Sequence, residues 1–341
     1  MQTSDFFFEL PESLIAQYPP AERGQSRLMV MNREKACLEH RMIRELPEIL
    51  EKGTLMVFNN SRVRRARLFG TAEASGAKVE FLLLKKIDPL SWLVLSKRSK
   101  RQKPGNRYVF DDVSAKIQSA AEGNFVLCFD HPIDDAWLDI HGHIPLPPYI
   151  RRRDSEDDAA RYQTVYAREH GSAAAPTAGL HFTEELLSEL KSVGMETVFV
   201  TLHVGLGTFL PVRTENIEEH KMHEETYSIS CETACRVEKA KAEGRKVLAV
   251  GTTSLRTLES AWVEDQPGRL RRGEGVTSIF IYPGYTLKAV DCLFTNFHTP
   301  ASTLLMLVSA FAGRDFILES YKEAIKNGYR FFSYGDACLI L

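Results

Sequence analysis

Lys246-Val247-Leu248-Ala249-Val250-Gly251-Thr252-Thr253-Ser254-Leu255-Arg256-Thr257-Leu258-Glu259-Ser260-Ala261-Trp262 decides the fold class. Residues 246–250 are a short apolar run of strand length. Gly251 breaks it. Leu255, Leu258 and Trp262 then recur at helical spacing and share one face. Strand, glycine turn and amphipathic helix in direct succession are the repeating unit of an α/β sheet.

The same alternation extends outward in the C-terminal half. Thr183 is a good N-cap, with Glu184 and Glu185 placed against the helix dipole. Leu186, Leu187, Leu190 and Val193 form one stripe, and Gly194 stops the helix. A strand is expected over 197–204 and a helix over about 232–243, with Gly244 as its stop. Further strands are expected near 278–282 and 292–297. Thr299-Pro300 has N-cap and N1 character and opens a helix over 302–312 that is apolar all round and therefore buried. The charged run 151–158 reads as a solvated loop.

The stretch 61–142 reads differently. Short β-rich runs at 66–72, 78–84, 92–95, 107–110, 115–118 and 125–129 are separated by Ser75-Gly76, Asp88-Pro89, Pro104-Gly105 and Glu122-Gly123. Six short strands with no helix between them predict a small antiparallel barrel. Helix-alternating sequence brackets it on both sides. The expected organisation is therefore an α/β catalytic domain built from 1–60 and 143–341, with a six-stranded β-barrel domain inserted over 61–142.

Composition narrows the class. The 341 residues suit two domains, with 44% hydrophobic and 26% charged residues, an ordinary globular balance. The opening Met1-Gln2-Thr3-Ser4-Asp5 has no basic region followed by an apolar one, so no signal peptide is expected. The longest apolar run, 304–312, is far short of the roughly 20 residues that span a bilayer. A cytoplasmic location without membrane association is expected. The six cysteines include no Cys-x-x-Cys pair and read as reduced thiols. A formal net charge of -2 does not announce a nucleic-acid binder, so any RNA contact must come from local patches.

Such patches exist. Lys97, Arg98, Lys100, Arg101, Lys103 and Arg107 run without an intervening acid, and Arg62, Arg64, Arg65 and Arg67 stand at the entrance of the barrel segment. A charge run is ordinarily a solvated face; two in one small domain favour an RNA-facing surface.

Several loops carry polar groups where chemistry is usually placed. Gly251-Thr252-Thr253-Ser254 offers free N–H groups and hydroxyls at a helix start; a seat for a carboxylate or phosphate and a plain cap both fit. Asn296-Phe297-His298-Thr299-Pro300-Ala301-Ser302-Thr303 repeats that arrangement at the carboxyl end of a strand, where open α/β sheets bind ligands. Ala174 to Phe182 is a loop of small residues, including Thr177 and Gly179, that admits a flat ligand or makes a tight connection. His203-Val204-Gly205-Leu206-Gly207-Thr208 puts Gly-x-Gly after a strand, but Leu210 stands at the third glycine position and Pro211 follows, so it is no dinucleotide fingerprint. His220-Lys221-Met222-His223-Glu224-Glu225 lacks zincin spacing in either direction, and no metal is expected.

In order and in length these strings resemble the S-adenosylmethionine:tRNA ribosyltransferase-isomerases of queuosine biosynthesis. The resemblance also rests on Asp5-Phe6-x-Phe8-x-Leu10-Pro11, Val57-Phe58-Asn59-Asn60-Ser61-Arg62-Val63, Pro145-Leu146-Pro147-Pro148-Tyr149-Ile150, Tyr162-Gln163-Thr164-Val165-Tyr166 and Arg330-Phe331-Phe332-Ser333-Tyr334-Gly335-Asp336-Ala337. Arg64-Arg65 stands where the family has Ile-Pro, and Thr299 where it has Leu. The resemblance implies an α/β domain with an inserted six-stranded barrel. It implies transfer of the ribosyl carbons of S-adenosylmethionine to a 7-aminomethyl-7-deazaguanine at the tRNA wobble position, leaving epoxyqueuosine and releasing adenine and methionine. S-adenosylmethionine is then a cosubstrate, with no metal or further cofactor and no DNA partner; a monomer is favoured.

That chemistry needs a base beside the sulfonium, a neutral amine and a proton for departing adenine, all within reach of an imidazole. The candidates are His203, His298 and His181, with His223 behind them, and Asp336 placed to orient one. Thr252, Thr253, Ser254 and Arg256 are candidates for the methionine carboxylate and Tyr282 for the adenine. Thr177, Gly179, Gly205, Gly207, Thr208, Asn296, Ser302 and Tyr334 complete the expected substrate site. Lys97, Arg98, Lys100, Arg101 and Lys103 are the expected tRNA contacts. A methyltransferase on the same cosubstrate, and an RNA-binding module without chemistry, are the competing readings; polar strings gathered at strand ends argue against the second.

Overall fold

A computed structural model of the chain describes residues 1–96, 101–121, 124–205, 212 and 214–341. Its main element is a nine-stranded mixed sheet. Across the sheet the strands run Gly273–Thr277, Glu225–Ile229, Glu196–Leu202, Leu55–Asn59, Val247–Val250, Cys292–Asn296, Ala337–Ile340, Arg27–Asn32 and Cys37–Met42. The four from Glu196–Leu202 to Cys292–Asn296 are mutually parallel, so their carboxyl ends emerge on one side. Ala337–Ile340 runs antiparallel to Cys292–Asn296, which brings its amino end, preceded by Phe332-Ser333-Tyr334, to that same side.

Alternation along the central strands covers both faces. Leu55, Val57, Val247 and Ala249 pack toward the helices Cys231–Ala242, Thr252–Ala261, Thr303–Ala312 and Arg314–Lys326. Met56, Phe58, Leu248 and Val250 pack the other way, against Phe182 and the helix Glu184–Ser192. Central strands buried on both faces read as unbroken apolar runs, as Leu55-Met56-Val57-Phe58 does.

The strands Arg67–Ala72, Lys78–Lys86, Ser91–Ser96, Arg107–Phe110, Val113–Ala121 and Asn124–Phe129 close into a six-stranded antiparallel barrel. All six correspond to the short runs expected there. Their inward residues, among them Leu68, Phe81, Trp92, Val94, Phe110 and Leu127, form a separate core. Arg67 and His143 exchange backbone hydrogen bonds where the chain enters and leaves this region.

Three local expectations are corrected. The strand expected near 278–282 is Gly273–Thr277 instead, paired with Glu225–Ile229. The Thr277 hydroxyl accepts the Ile279 amide and pairs with Ser260, which ends the ladder, and Ile281 turns into the core. The cap of the buried helix is Ser302, not Thr299: Ser302 Oγ accepts from the Leu305 amide and donates to the Thr299 carbonyl. The charged run 151–158 is not all solvated. Asp158 is 1% exposed, receives two bonds from Arg152 and one from the Tyr334 hydroxyl, and sits in the first turn of the helix Glu156–Arg161. No helix among the described residues is long and apolar enough to cross a membrane.

Candidate active site

At the carboxyl side of the parallel strands lies a cleft of about 690 Å³, counting its open mouth. Its wall is built from the ends of the sheet: Val204, Gly251-Thr252-Thr253, and Thr295 through Thr299. Thr177 and Ala178 of a short 3-10 turn, Tyr149, and the pair Phe332-Ser333 close it.

Gly251 explains how the floor is made. It has φ 90° and no side chain, and it precedes the helix Thr252–Ala261, whose first turn has no capping side chain. A Cβ added to Gly251 would sit 3.4 Å from Ala178 Cβ and 3.5 Å from Thr253 Oγ1. The glycine therefore meets a backbone angle that L-residues avoid and leaves the helix start open. Thr253 is 7% exposed, and its hydroxyl is buried with no hydrogen-bond partner among the described residues. The neighbouring hydroxyls are committed, Ser254 to the Val250 carbonyl and Thr257 to the Thr253 carbonyl.

His298 enters from the end of strand Cys292–Asn296. Its Nε2 lies 3.0 Å from the Thr295 hydroxyl, and its backbone amide donates to Tyr321. Among the described residues nothing bonds Nδ1 of this imidazole. Burial, at 7% exposure, lowers its pKa to about 3, so the ring is neutral at neutral pH.

Asn296 anchors the opposite wall. Its amide nitrogen lies 2.8 Å from His181 Nε2, and its oxygen accepts from the Thr177 hydroxyl at 3.1 Å. His181 Nδ1 meets Ser26 Oγ at 3.1 Å. With Asn296 donating to Nε2, His181 keeps its proton on Nδ1 and is neutral. Burial, with Arg330 and Arg23 behind it, lowers its pKa to about 3. Phe332 has φ 72°, unusual for a side-chain-bearing residue. Bonds from its amide to the Phe297 carbonyl and from the Gly335 amide to its own carbonyl hold it there. Its ring centroid stands 4.6 Å from that of Tyr149, whose hydroxyl bonds Ser333.

A family model described as queuosine biosynthesis protein matches residues 3–340. The chain belongs to this family. It is 54% identical to an S-adenosylmethionine:tRNA ribosyltransferase-isomerase of Treponema denticola and 53% identical to one of Desulfitobacterium hafniense, each match covering 100% of both chains. A crystal structure of S-adenosylmethionine tRNA ribosyltransferase from Thermotoga maritima, 39% identical, matches with a TM-score of 0.56 over 99% of this chain and 100% of that one.

In this member of the queuosine biosynthesis family the expected site residues divide. Thr177, Thr252, Thr253, Asn296 and His298 line the cleft. His181 lies behind Asn296 with both ring nitrogens engaged, and it borders a smaller pocket beside Arg23, Arg161 and Tyr334. His203 follows strand Glu196–Leu202 but faces a neighbouring groove with Asn60, Arg168, Glu169 and Glu274. Its Nδ1 is buried with no partner among the described residues, and burial, then Arg64, lowers its pKa.

Other candidates are taken up elsewhere. Arg256, 2% exposed, does not line the cleft; its Nη1 bonds Glu225, which also accepts the Gly205 amide, while its Nε and Nη2 have no hydrogen-bond partner among the described residues. Asp336 polarises no histidine: its carboxylate takes the Arg27 and Arg330 amides and the Arg27 side chain. Tyr334 bonds Asp158, Tyr282 packs on Phe280, Ser254 bonds a carbonyl and Ser302 caps a helix. Gly179 leaves room for the Tyr166 hydroxyl, which a Cβ would meet at 2.0 Å. Gly207, Thr208, Lys97, Arg98 and Lys100 lie outside the described residues. Arg101 and Lys103 are exposed, and no acid pairs with them among the described residues.

Tyr149, Thr295, Phe332 and Ser333 line the cleft but were not singled out from the sequence. Tyr149, Phe332 and Ser333 lie within quoted family strings, which was the available signal. Thr295 is an apolar-strand residue with no local mark. Among the described residues no cluster of three His, Cys, Asp or Glu is arranged to hold a metal ion.

Proposed function

We propose that this chain transfers and isomerises the ribosyl moiety of S-adenosylmethionine onto 7-aminomethyl-7-deazaguanine at the tRNA wobble position. The products are epoxyqueuosine-tRNA, adenine and methionine. The observation that carries the reading is the character of the cleft. Among the described residues no lining side chain is an acid, a lysine or an arginine, and the lining imidazole, His298, is neutral. Tyr149 and Phe332, whose rings pack on each other, line the same cleft as a bare helix start. A sulfonium is a cation favoured by aromatic faces, and a neutral imidazole is the form that accepts a proton.

His298 is the base in this reading. With the proton of the neutral ring on Nε2 and Thr295 accepting it, the Nδ1 lone pair is the basic site. It takes the proton from the ribose carbon next to sulfur. The neutral amine of the deazaguanine forms the new C–N bond. Adenine leaves with the electrons of its glycosidic bond and gains a proton, and methionine leaves with the electrons of the C–S bond. Asn296, fixed by His181 and Thr177, is a polar wall that does not titrate near neutral pH. The tRNA is drawn to exposed cations, Arg101 and Lys103 among them, since the cleft itself has no side chain to neutralise phosphate.

The test is product analysis with precursor-modified tRNA and S-adenosylmethionine. Free adenine and methionine in equal amounts support the reading. S-adenosylhomocysteine with a methylated RNA overturns it and promotes the methyltransferase.

A further inference from the structure

The bare start of the helix Thr252–Ala261 is the least explained feature of the cleft. A helix start leaves its first N–H groups without intrahelical partners and carries the positive end of the dipole. Thr183, Ser230 and Ser302 each accept a first-turn amide of their own helices, whereas the helix Arg314–Lys326, behind Gly313, also starts without a capping side chain. At Gly251 no side chain is available. Next to the open amides, the Thr253 hydroxyl is buried with no partner among the described residues, although burying a hydroxyl unbonded is costly. It faces the bare Cα of Gly251, as the 3.5 Å approach of a built Cβ shows. Two independent unmet needs, donors at the helix start and an unsatisfied hydroxyl, meet at one point of the cleft wall.

We infer that the Gly251-Thr252-Thr253 turn is the seat of the S-adenosylmethionine carboxylate, held by first-turn amides and the Thr253 hydroxyl. A carboxylate fits better than a phosphate because no lysine or arginine among the described residues lines the cleft, and one helix start supplies only about half a unit of positive charge. Arg256, one turn along the same helix, does not line the cleft; its Nη1 pairs with Glu225, while its Nε and Nη2 are buried with no hydrogen-bond partner among the described residues. The seat fixes the cosubstrate by its methionine end and leaves the ribosyl part to lie toward His298. Free methionine, a reaction product, retains the carboxylate and competes for the same seat. The inference rests on the reading of S-adenosylmethionine as cosubstrate.

The test compares two ligands on the full-length protein: S-adenosylmethionine and its decarboxylated analogue, each titrated calorimetrically. Wild type binds S-adenosylmethionine at least about tenfold more tightly, the scale of hydrogen bonds to a charged group. Thr253→Val loses about tenfold for S-adenosylmethionine and nothing for the analogue, and Thr253→Ser restores the difference. Methionine competes with S-adenosylmethionine, and methioninamide does not. The seat is overturned if wild type binds both ligands equally, or if Thr253→Val weakens both alike or neither. Binding of neither ligand by wild type overturns the functional reading together with the seat. Thermal melting of the unliganded variants separates a damaged fold from a lost contact.

Discussion

The Nε2 atom of His298 lies 3.0 Å from the Thr295 hydroxyl three residues earlier, so one turn of chain at the end of a central strand fixes the orientation of this imidazole. His298→Gln keeps a group able to bond Thr295 and removes Nδ1. Turnover falls at least about 100-fold, the usual scale of general base catalysis, while S-adenosylmethionine binding is retained. Because burial lowers the His298 pKa to about 3, protonation of this base leaves the rate of the folded enzyme untouched from pH 7 down to pH 5. An acid limb with a midpoint near the ordinary histidine value would contradict the assignment.

The same burial predicts an acid-sensitive fold. His181 and His298 are both lowered to about 3 from an unfolded value of 6.5. Between those values the unfolded chain takes up protons that the folded one refuses. The stabilisation is therefore full above about pH 6.5 and is lost as pH falls toward 3. Each histidine contributes a slope of up to about 1.4 kcal/mol per pH unit in that window. Urea unfolding midpoints at pH 7, 6 and 5 measure it. Wild type weakens steadily as pH falls, and His181→Gln shows a shallower loss over the same pH range. Equal slopes in the two proteins would show that His181 does not titrate on unfolding as described.

The barrel was legible because its strands are local and punctuated. Six short runs separated by turn residues need no distant partner to be recognised, and all six form. The strand, glycine turn and helix at Gly251 were legible for the same reason. What was illegible depends on partners far along the chain. Nothing around Asp158 shows that Tyr334, 176 positions away, bonds it. Arg256 follows Thr253 at one-turn spacing and shares its helix face in sequence, yet Glu225, 31 positions earlier, takes its charge. Of the three principal histidines, all at polar loop positions, only the fold decides that His298 faces the cleft, His181 stands behind Asn296 and His203 opens to the neighbouring groove.

The exposed cations of the barrel give a prediction about salt. Each phosphate contact on a single strand contributes about 0.7 to the slope of log affinity against log salt. Replacing Arg101 and Lys103 by Ala lowers tRNA affinity and flattens that slope by roughly one unit. S-adenosylmethionine binding, seated at the sheet, is unchanged. Filter binding at several salt concentrations reads both quantities. An unaltered slope would move the tRNA surface to Arg62 and Arg168, which face solvent on and beside the paired strands Ser61–Val63 and Glu169–Ser172.

The central claim is that ribosyl carbons, not the methyl group, pass from S-adenosylmethionine to tRNA. S-adenosylmethionine labelled with carbon-13 either in the ribose or in the methyl group separates the alternatives in one experiment. Mass analysis of the modified nucleoside after digestion is predicted to show all the ribosyl label in the tRNA and the methyl label only in released methionine. Methyl label in the tRNA, with the ribosyl label left on S-adenosylhomocysteine, would contradict the account.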